Sequence, residues 1–370
     1  MNSTATETVS EENDWTVGKT VVCTCIVLFW VLIYLSMHKL RRNGGRNVWY
    51  HVGYFTAVAL IIYLLPNDLA LDAFNPITIT LVCTLYPIYE SIRAVCTVDT
   101  DDDTSMLQYW IAQGILSFAS AWVNDVTNDH PLVRQYWFEC LFFYYVWLLL
   151  PFTDGAALLY DCVTEPFIVP LIAPYAKKMS NALNAIVTAF INAFHLWFVW
   201  FAFFFLSPNL KSIIAICIGT VYPFMASIIA VSTPQGDDDT YWLTYWSCYG
   251  ILYLIMGFFE HWLKRVPGFY IMYILATIYL MLPMFKGADA IFRSILVPLS
   301  GQTEMLMLRD ASILRMELES KIPESRRAQV LDAVSKTFGA DNSKMPSVRR
   351  RPNYGDKSDY GAIEEKEIIV

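Results

Sequence analysis

The chain has 370 residues, 56% of them hydrophobic, 15% aromatic and only 16% charged, a balance too apolar for a water-soluble globular protein and one that makes the bilayer its solvent. A formal net charge of -8, with no basic face interleaved with aromatic residues, argues against nucleic acid as a partner. The eight cysteines lie mostly in apolar runs, as Cys23, Cys25, Cys83, Cys140, Cys217 and Cys248 do, where they read as small hydrophobes and lack the spacing of zinc ligands or of a disulfide framework.

In chain order, Met1 to Asp14 is polar and acidic, with no basic stretch and no small-residue cleavage site of a signal peptide. A first span is predicted from about Val17 to Met37, and Lys39, Arg41, Arg42 and Arg46 follow it, which places that side in the cytosol and the N-terminus in the lumen. Further spans are predicted at Trp49–Leu65, Ile77–Val95, Met106–Val123 and Tyr136–Leu150, and the pattern returns at Ala182–Leu206, Ile213–Val231, Trp242–Phe259 and Phe269–Leu282. Short turns such as Pro66-Asn67-Asp68 and Ser207-Pro208-Asn209 join neighbours into antiparallel hairpins. Ala156–Pro174 and Ala288–Pro298 close the two sets, and their prolines favour an interfacial position over a spanning one.

One leading span plus four hairpins puts the C-terminus in the cytosol. That topology leaves Lys211, Lys264 and Arg265 on the lumenal side, outnumbered by the N-terminal basic cluster. Beyond Gln302 the tail is charged; Pro323 followed by Val330, Leu331, Val334 and Phe338 predicts a short amphipathic helix, Arg349 to Arg351 suit anionic lipid, and the residues after Asn342 read as disordered. The final Glu364 to Val370 offers a terminal peptide to a partner domain. The expected fold is an all-α integral membrane protein: an N-terminal part with the first span (1–48), two tandem hairpin modules (49–178 and 179–300) and a cytosolic tail (301–370).

The modules are copies of each other. Tyr86–Trp110 reads YPIYESIRAVCTVDTDDDTSMLQYW and Tyr222–Trp246 reads YPFMASIIAVSTPQGDDDTYWLTYW, with 14 of 25 positions identical at an offset of 136. Pro151, Gly155 and Pro166 then match Pro283, Gly287 and Pro298 at an offset of 132.

At these residues the chain resembles the receptor-expression-enhancing protein family, which includes the deleted-in-polyposis proteins and the plant abscisic-acid-induced HVA proteins. The family pattern is Y-P-x-Y-x-S, an acidic D-D-T, W-L-x-Y-W, a later P-x-Y, and L-P-x-x-x-G-A with a trailing proline. The first copy supplies Tyr86, Pro87 and Ser91, then Asp101, Asp102, Asp103 and Thr104, then Tyr109 and Trp110. The second supplies Tyr222, Pro223 and Ser227, then Asp237, Asp238, Asp239 and Thr240, then Trp242, Tyr245 and Trp246, and Glu260 where the family has a membrane glutamate. The match covers roughly Trp49 to Ser300. It departs at Met106, Asn124 and Met225, lacks the basic residue after P-x-Y, and is duplicated where most members carry one module.

Several motif residues carry two readings. A proline at 87 and 223 bends an apolar helix, either shaping a wedge or as a kink tolerated by neighbours. Asp101 to Thr104 and Asp237 to Thr240 sit where a helix begins, so capping and surface anchoring is one reading and a calcium or magnesium site the other; the runs lack the alternating ligands and glycine of a calcium loop. Glu90 and Arg93, three apart, form a self-neutralising pair whose counterparts are Ala226 and Ile229. Asp154, Asp161 and Glu165 either line a polar path or are solvated at the interface. Trp49, Tyr50, Tyr109, Trp110, Trp242, Tyr245 and Trp246 suit the headgroup level, and His195 and His261 lack partners at ligand spacing.

No nucleophile with its base, metal set or phosphate-binding glycine loop is present in the sequence, so no enzyme activity, cofactor or metal is expected. The resemblance implies an endoplasmic-reticulum membrane protein that stabilises curvature and assists membrane-protein traffic. The partners expected are the lipid bilayer, a second copy or an internal pseudo-dimer of the two modules, and membrane-protein cargo. The alternative is a small-solute transporter or channel built from parallel repeats.

Overall fold

A computed structural model describes residues 48–321, apart from 99, 128–130, 176–177, 179–180, most of 182–204, 234–235, 264 and 267. The span expected at Val17–Met37, nearly all of Ala182–Leu206 and the tail helix expected after Pro323 lie outside the described residues. Every regular element described is helical.

The first repeat runs through α1 (Val48–Leu64), a short α2 (Asn67–Ala73) and α3, which passes from Pro76–Thr80 through a π-helical turn at Leu81–Leu85 into Tyr86–Cys96. Two 28- and 19-residue helices follow, α4 (Thr100–Thr127) and α5 (Pro131–Leu149). Then comes α6 (Gly155–Tyr175), π-helical over Tyr160–Ile168. The second repeat repeats the plan. Its α7 joins Pro208–Ile216, a π-helical turn at Cys217–Val221 and Tyr222–Ser232. It continues as α8 (Gly236–Leu263) and α9 (Phe269–Met281). Next, α10 joins Gly287–Ile291, a π turn at Phe292–Leu296 and Val297–Ser300. A last helix, α11 (Thr303–Lys321), follows Gly301, whose φ of 74° suits only glycine without strain.

Local chemistry fixes the helix starts. At α3 the Asn75 side chain accepts a hydrogen bond from the Thr78 N–H at 2.9 Å, and Pro76 takes the first turn, where its missing N–H costs nothing. Ser207 and Pro208 do the same for α7, with Ser207 Oγ accepting from the Leu210 N–H at 3.4 Å.

Pro76–Cys96, Gly155–Tyr175, Ile213–Ser232 and Asp238–Phe259, of 20 to 22 residues, are long and apolar enough to cross a bilayer. Gly155–Tyr175, expected at the interface for its prolines, is a continuous 21-residue helix that is also long and apolar enough to span, with Pro166 inside a π-helical stretch. By contrast Phe269–Met281 is an apolar helix of 13 residues. At about 1.5 Å per residue it reaches about 20 Å, short of a hydrocarbon layer about 30 Å thick.

The contacts divide the chain into two units, Met1–Ile88 with Gln108–Ile168, and Tyr89–Leu107 with Val169–Val370. In the first unit α5 packs on α1, α3 and the start of α6. Phe74 lies between Phe142 and Phe143, with ring centroids 5.1 and 5.4 Å away. The Tyr54 hydroxyl donates to the Phe143 carbonyl at 2.7 Å, and the Trp147 indole N–H donates to His51 Nδ1 at 3.2 Å. These bonds satisfy polar atoms where water cannot. In the second unit α8 packs on α7, α9 and α10, around Leu243, Tyr245 and Ile228, all fully buried.

Candidate functional site

The first motif pair is joined by a bond that the sequence does not display. In an α-helix the carbonyl of residue i−4 accepts from the N–H of residue i, and proline has none to give. Counting back four from Pro87 reaches Cys83, and from Pro223 reaches Gly219; each lies in a π-helical turn. The Tyr109 hydroxyl donates to the Cys83 carbonyl at 2.7 Å, and the Tyr245 hydroxyl donates to the Gly219 carbonyl at 2.6 Å. Both tyrosines are almost wholly buried. The tyrosine of W-L-x-Y-W therefore gives a donor to a carbonyl of the π-helical turn that precedes the proline of Y-P, in each repeat. In the second repeat Trp246 Nε1–H donates to Ser227 Oγ at 2.8 Å and Ser227 Oγ–H donates to the Pro223 carbonyl at 2.7 Å, so the motif serine ties the same two helices again.

The L-P-x-x-x-G-A motif makes a close crossing. Asp154 and Lys286, just before the glycines, have φ of 48°, a left-handed conformation that side chains rarely adopt. Gly155 and Gly287 then pass so near the preceding helix that an added Cβ would stand 2.6 Å from the Trp147 carbonyl oxygen and 2.2 Å from the Tyr279 carbonyl oxygen respectively. Thr153 Oγ1–H donates to the Trp147 carbonyl at 2.7 Å, closing the turn in the first repeat.

The acidic runs meet inside the second unit. Thr104 Oγ1–H donates to Asp239 Oδ2 at 2.5 Å, and Thr240 Oγ1–H donates to Asp103 Oδ2, a reciprocal exchange between the two copies of one motif. Asp103 and Asp239 are each 1% exposed, whereas Asp101, Asp102 and Asp238 face outward. Arg309 of α11 donates to the Val95 carbonyl and, at 3.3 Å, to Thr240 Oγ1, and its guanidinium lies 3.9 Å from Asp103 Oδ2.

Burial pushes the Asp103 carboxyl up to about 6, against the pull of the Thr240 hydroxyl and Arg309 and with the push of Asp239 and Asp102. The folded value stands above the 3.8 of a free carboxyl. This group's contribution in favour of the fold is therefore complete below about pH 4 and is lost as pH rises through about 6. Relative to the native chain, Asp103→Asn should remove a melting-temperature gain of a few degrees between pH 7.5 and pH 5. Identical pH profiles for the two proteins, followed by circular dichroism in detergent, would contradict the assignment.

Other expected residues are placed as follows. Arg93 Nη1 lies 3.6 Å from Glu90 Oε2, with Arg93 exposed and Glu90 half-buried. Trp242 sits among the rings of Tyr222, Tyr241 and Tyr245, with centroids 5.2 to 6.0 Å away. Ser91 and Trp110 are buried, while Tyr86, Asp161 and Glu165 are exposed. Pro151 and Pro283 open the turns, and Pro166 and Pro298 lie inside α6 and α10. The side chains of Asp237, Glu260 and His261, and the whole of His195, lie outside the described residues. Among the described residues no group of three or more histidine, cysteine or carboxylate side chains is placed to hold a metal. Sequence reasoning missed Arg309, the Cys83 and Gly219 carbonyls and the inward turn of Asp103 and Asp239. Counting four residues back from each proline would have found the carbonyls.

The TB2/DP1, HVA22 family matches the chain twice, at residues 87–167 and 223–299. Protein YOP1 of Cryptococcus neoformans is 33% identical over 129 residues, 34% of this chain and 59% of that protein. HVA22-like protein a of Arabidopsis thaliana is 35% identical over 81 residues, 22% of this chain and 46% of the relative. Receptor expression-enhancing protein 6 of Danio rerio is 35% identical over 88 residues, 24% of this chain and 42% of the relative. The alignments thus span about half the length of these curated relatives. No solved structure matches the chain. With a match in each repeat, on the helices that hold the Tyr-Pro, acidic and Gly-Ala motifs, the chain carries two tandem regions similar to the TB2/DP1, HVA22 family.

Proposed function

We propose that this protein bends and stabilises membrane of the endoplasmic reticulum, with its hairpins occupying more area in the cytosolic leaflet than in the lumenal one. The observation that carries this reading is the mixture of helix lengths: helices long enough to reach across the hydrocarbon layer stand beside Phe269–Met281, which is not. Short apolar helices joined to long ones fill one leaflet more than the other. The family of the relatives, one of them named for enhancing receptor expression, supports the same reading and adds assistance to membrane-protein traffic as part of the proposal. The reciprocal Thr104–Asp239 and Thr240–Asp103 bonds support an internal pairing of the two modules, with boundaries near 49–178 and 179–300. A cytosolic C-terminus belongs to the same proposal and is checked by glycosylation tags at both ends.

The transporter reading has less support, because Glu90 and Arg93 have no charged counterparts in the second repeat and Asp154 is matched by Lys286. Reconstituting the full chain into liposomes of endoplasmic-reticulum lipid composition separates the two. Electron microscopy should show narrow tubules that multiply with protein-to-lipid ratio, with no gain in solute permeability. Spherical vesicles that leak small solutes would favour transport and sink the shaping role.

A further inference from the structure

The reciprocal pair brings two carboxylates into a buried place, and the pair by itself does not balance their charge. Asp103 and Asp239 both accept from threonine hydroxyls and are 1% exposed, and two neighbouring buried carboxylates disfavour each other's ionised form. One balancing charge for Asp103 comes from outside both family matches. Arg309 lies on α11, beyond the second family match, and its side chain is 14% exposed. Its guanidinium reaches three elements at once: the Val95 carbonyl near the C-terminal end of α3, Asp103 near the start of α4, and Thr240 near the start of α8. Those are a helix end seeking donors, a carboxylate seeking a cation, and the hydroxyl that already serves that carboxylate. The offset of 132 that relates the Gly-Ala motifs takes Arg309 back to Lys177, which lies outside the described residues.

A second contact seats the same helix. Arg293 of α10 donates to Asp310 Oδ2 at 2.6 Å and Oδ1 at 3.3 Å while also donating to Asp289 Oδ1 at 2.8 Å. These pairs are about half exposed, and Asp310 is the residue after Arg309. Gln302 Nε2–H adds a bond to the Tyr89 hydroxyl at 3.4 Å, and Leu306 and Ser312 are buried.

We infer that α11 is a latch: through Arg309 it holds the acidic turn of the first repeat against the acidic helix start of the second, and the reciprocal bonds persist only while it is seated. Arg309 is a positioning residue that acts through charge. An exposed surface pair such as Arg293 with Asp310 is secondary, because solvent screens it, whereas removing one member of a buried pair strands the other.

The test uses the full chain in nanodiscs, with amide hydrogen exchange read by mass spectrometry. Arg309→Met should speed exchange over 97–107 and 236–242 by about tenfold or more, while 269–281 keeps its protection. Adding Asp103→Asn to Arg309→Met should restore most of that protection, since the carboxylate left stranded is gone and the amide oxygen still accepts from Thr240. Arg309→Lys, which keeps the charge but not the fork, should fall between native and Arg309→Met, and remains informative if the methionine variant does not fold. Arg293→Met should leave 97–107 protected. Unchanged exchange in Arg309→Met overturns the latch. Protection no better in the double variant than in the single one overturns its electrostatic basis.

Discussion

Alanine at Gly287 should cost the second unit about 3 kcal/mol or more, enough to lower its melting temperature by many degrees or to prevent folding. The new Cβ would stand 2.2 Å from the Tyr279 carbonyl oxygen and 2.6 Å from two atoms of its ring. Backbone oxygen cannot swing away as a side-chain tip can, so α10 would have to lift off α9. Gly155→Ala repeats the change against Trp147, where the nearest approach is 2.6 Å, and should cost somewhat less. The comparison that isolates contact from helix propensity is Gly257→Ala. That glycine lies in α8 with nothing within 4 Å of its added Cβ. There alanine should be neutral or stabilise by about 0.5–1 kcal/mol, as in any helix interior. Thermal melts of the purified chain in detergent, followed by helical circular dichroism, give all three. Equal melting temperatures for Gly287→Ala and Gly257→Ala would mean that the close crossing is absent.

Tyr245→Phe removes one oxygen and should destabilise by about 2 kcal/mol, because the Gly219 carbonyl would then stand in an apolar surrounding without its donor. The ring remains to fill its place and keep its stack on Tyr249, whose centroid is 5.6 Å away at 15°. Tyr109→Phe should act alike on the Cys83 carbonyl. The stronger statement is about coupling. If the tyrosine serves the carbonyl that the proline leaves unserved, then Pro223→Ala, which restores a backbone N–H, should relieve much of the cost of Tyr245→Phe. The double-variant cycle should therefore show about 1 kcal/mol or more of interaction between two residues 22 apart in sequence. Additive costs in denaturant unfolding would break the link between the Tyr-Pro and W-L-x-Y-W motifs.

Composition and hydropathy made the all-helical membrane fold legible, and self-comparison made the repeat legible, because both depend on residue type alone. Tyr86–Trp110 and Tyr222–Trp246 align without a gap, and the structure gives both the same π-turn, the same proline and the same tyrosine bond. Helix length was harder to read. Proline at 166 argued for an interfacial segment, but a π-helical register tolerates it and the helix continues to Tyr175. The inward turn of Asp103 and Asp239 was hidden for a different reason: in a run of three aspartates the sequence does not say which one points where, and Thr104 and Thr240 find partners 135 and 137 residues away. Arg309 was invisible for the same cause, since a lone arginine in a charged tail carries no local pattern.

The tyrosine bonds have a mechanical consequence. A helix bent at a bare proline behaves as a joint, because the missing backbone bond leaves it free to open and close. In α3 and α7 a carbonyl of the turn before the proline is fastened to a neighbouring helix, which turns the joint into a brace. Lipid adjusts its thickness at fractions of a kcal/mol per Å, while breaking such a fastening costs about 2 kcal/mol or more. Pressed by the surrounding sheet, it is the lipid that gives way first.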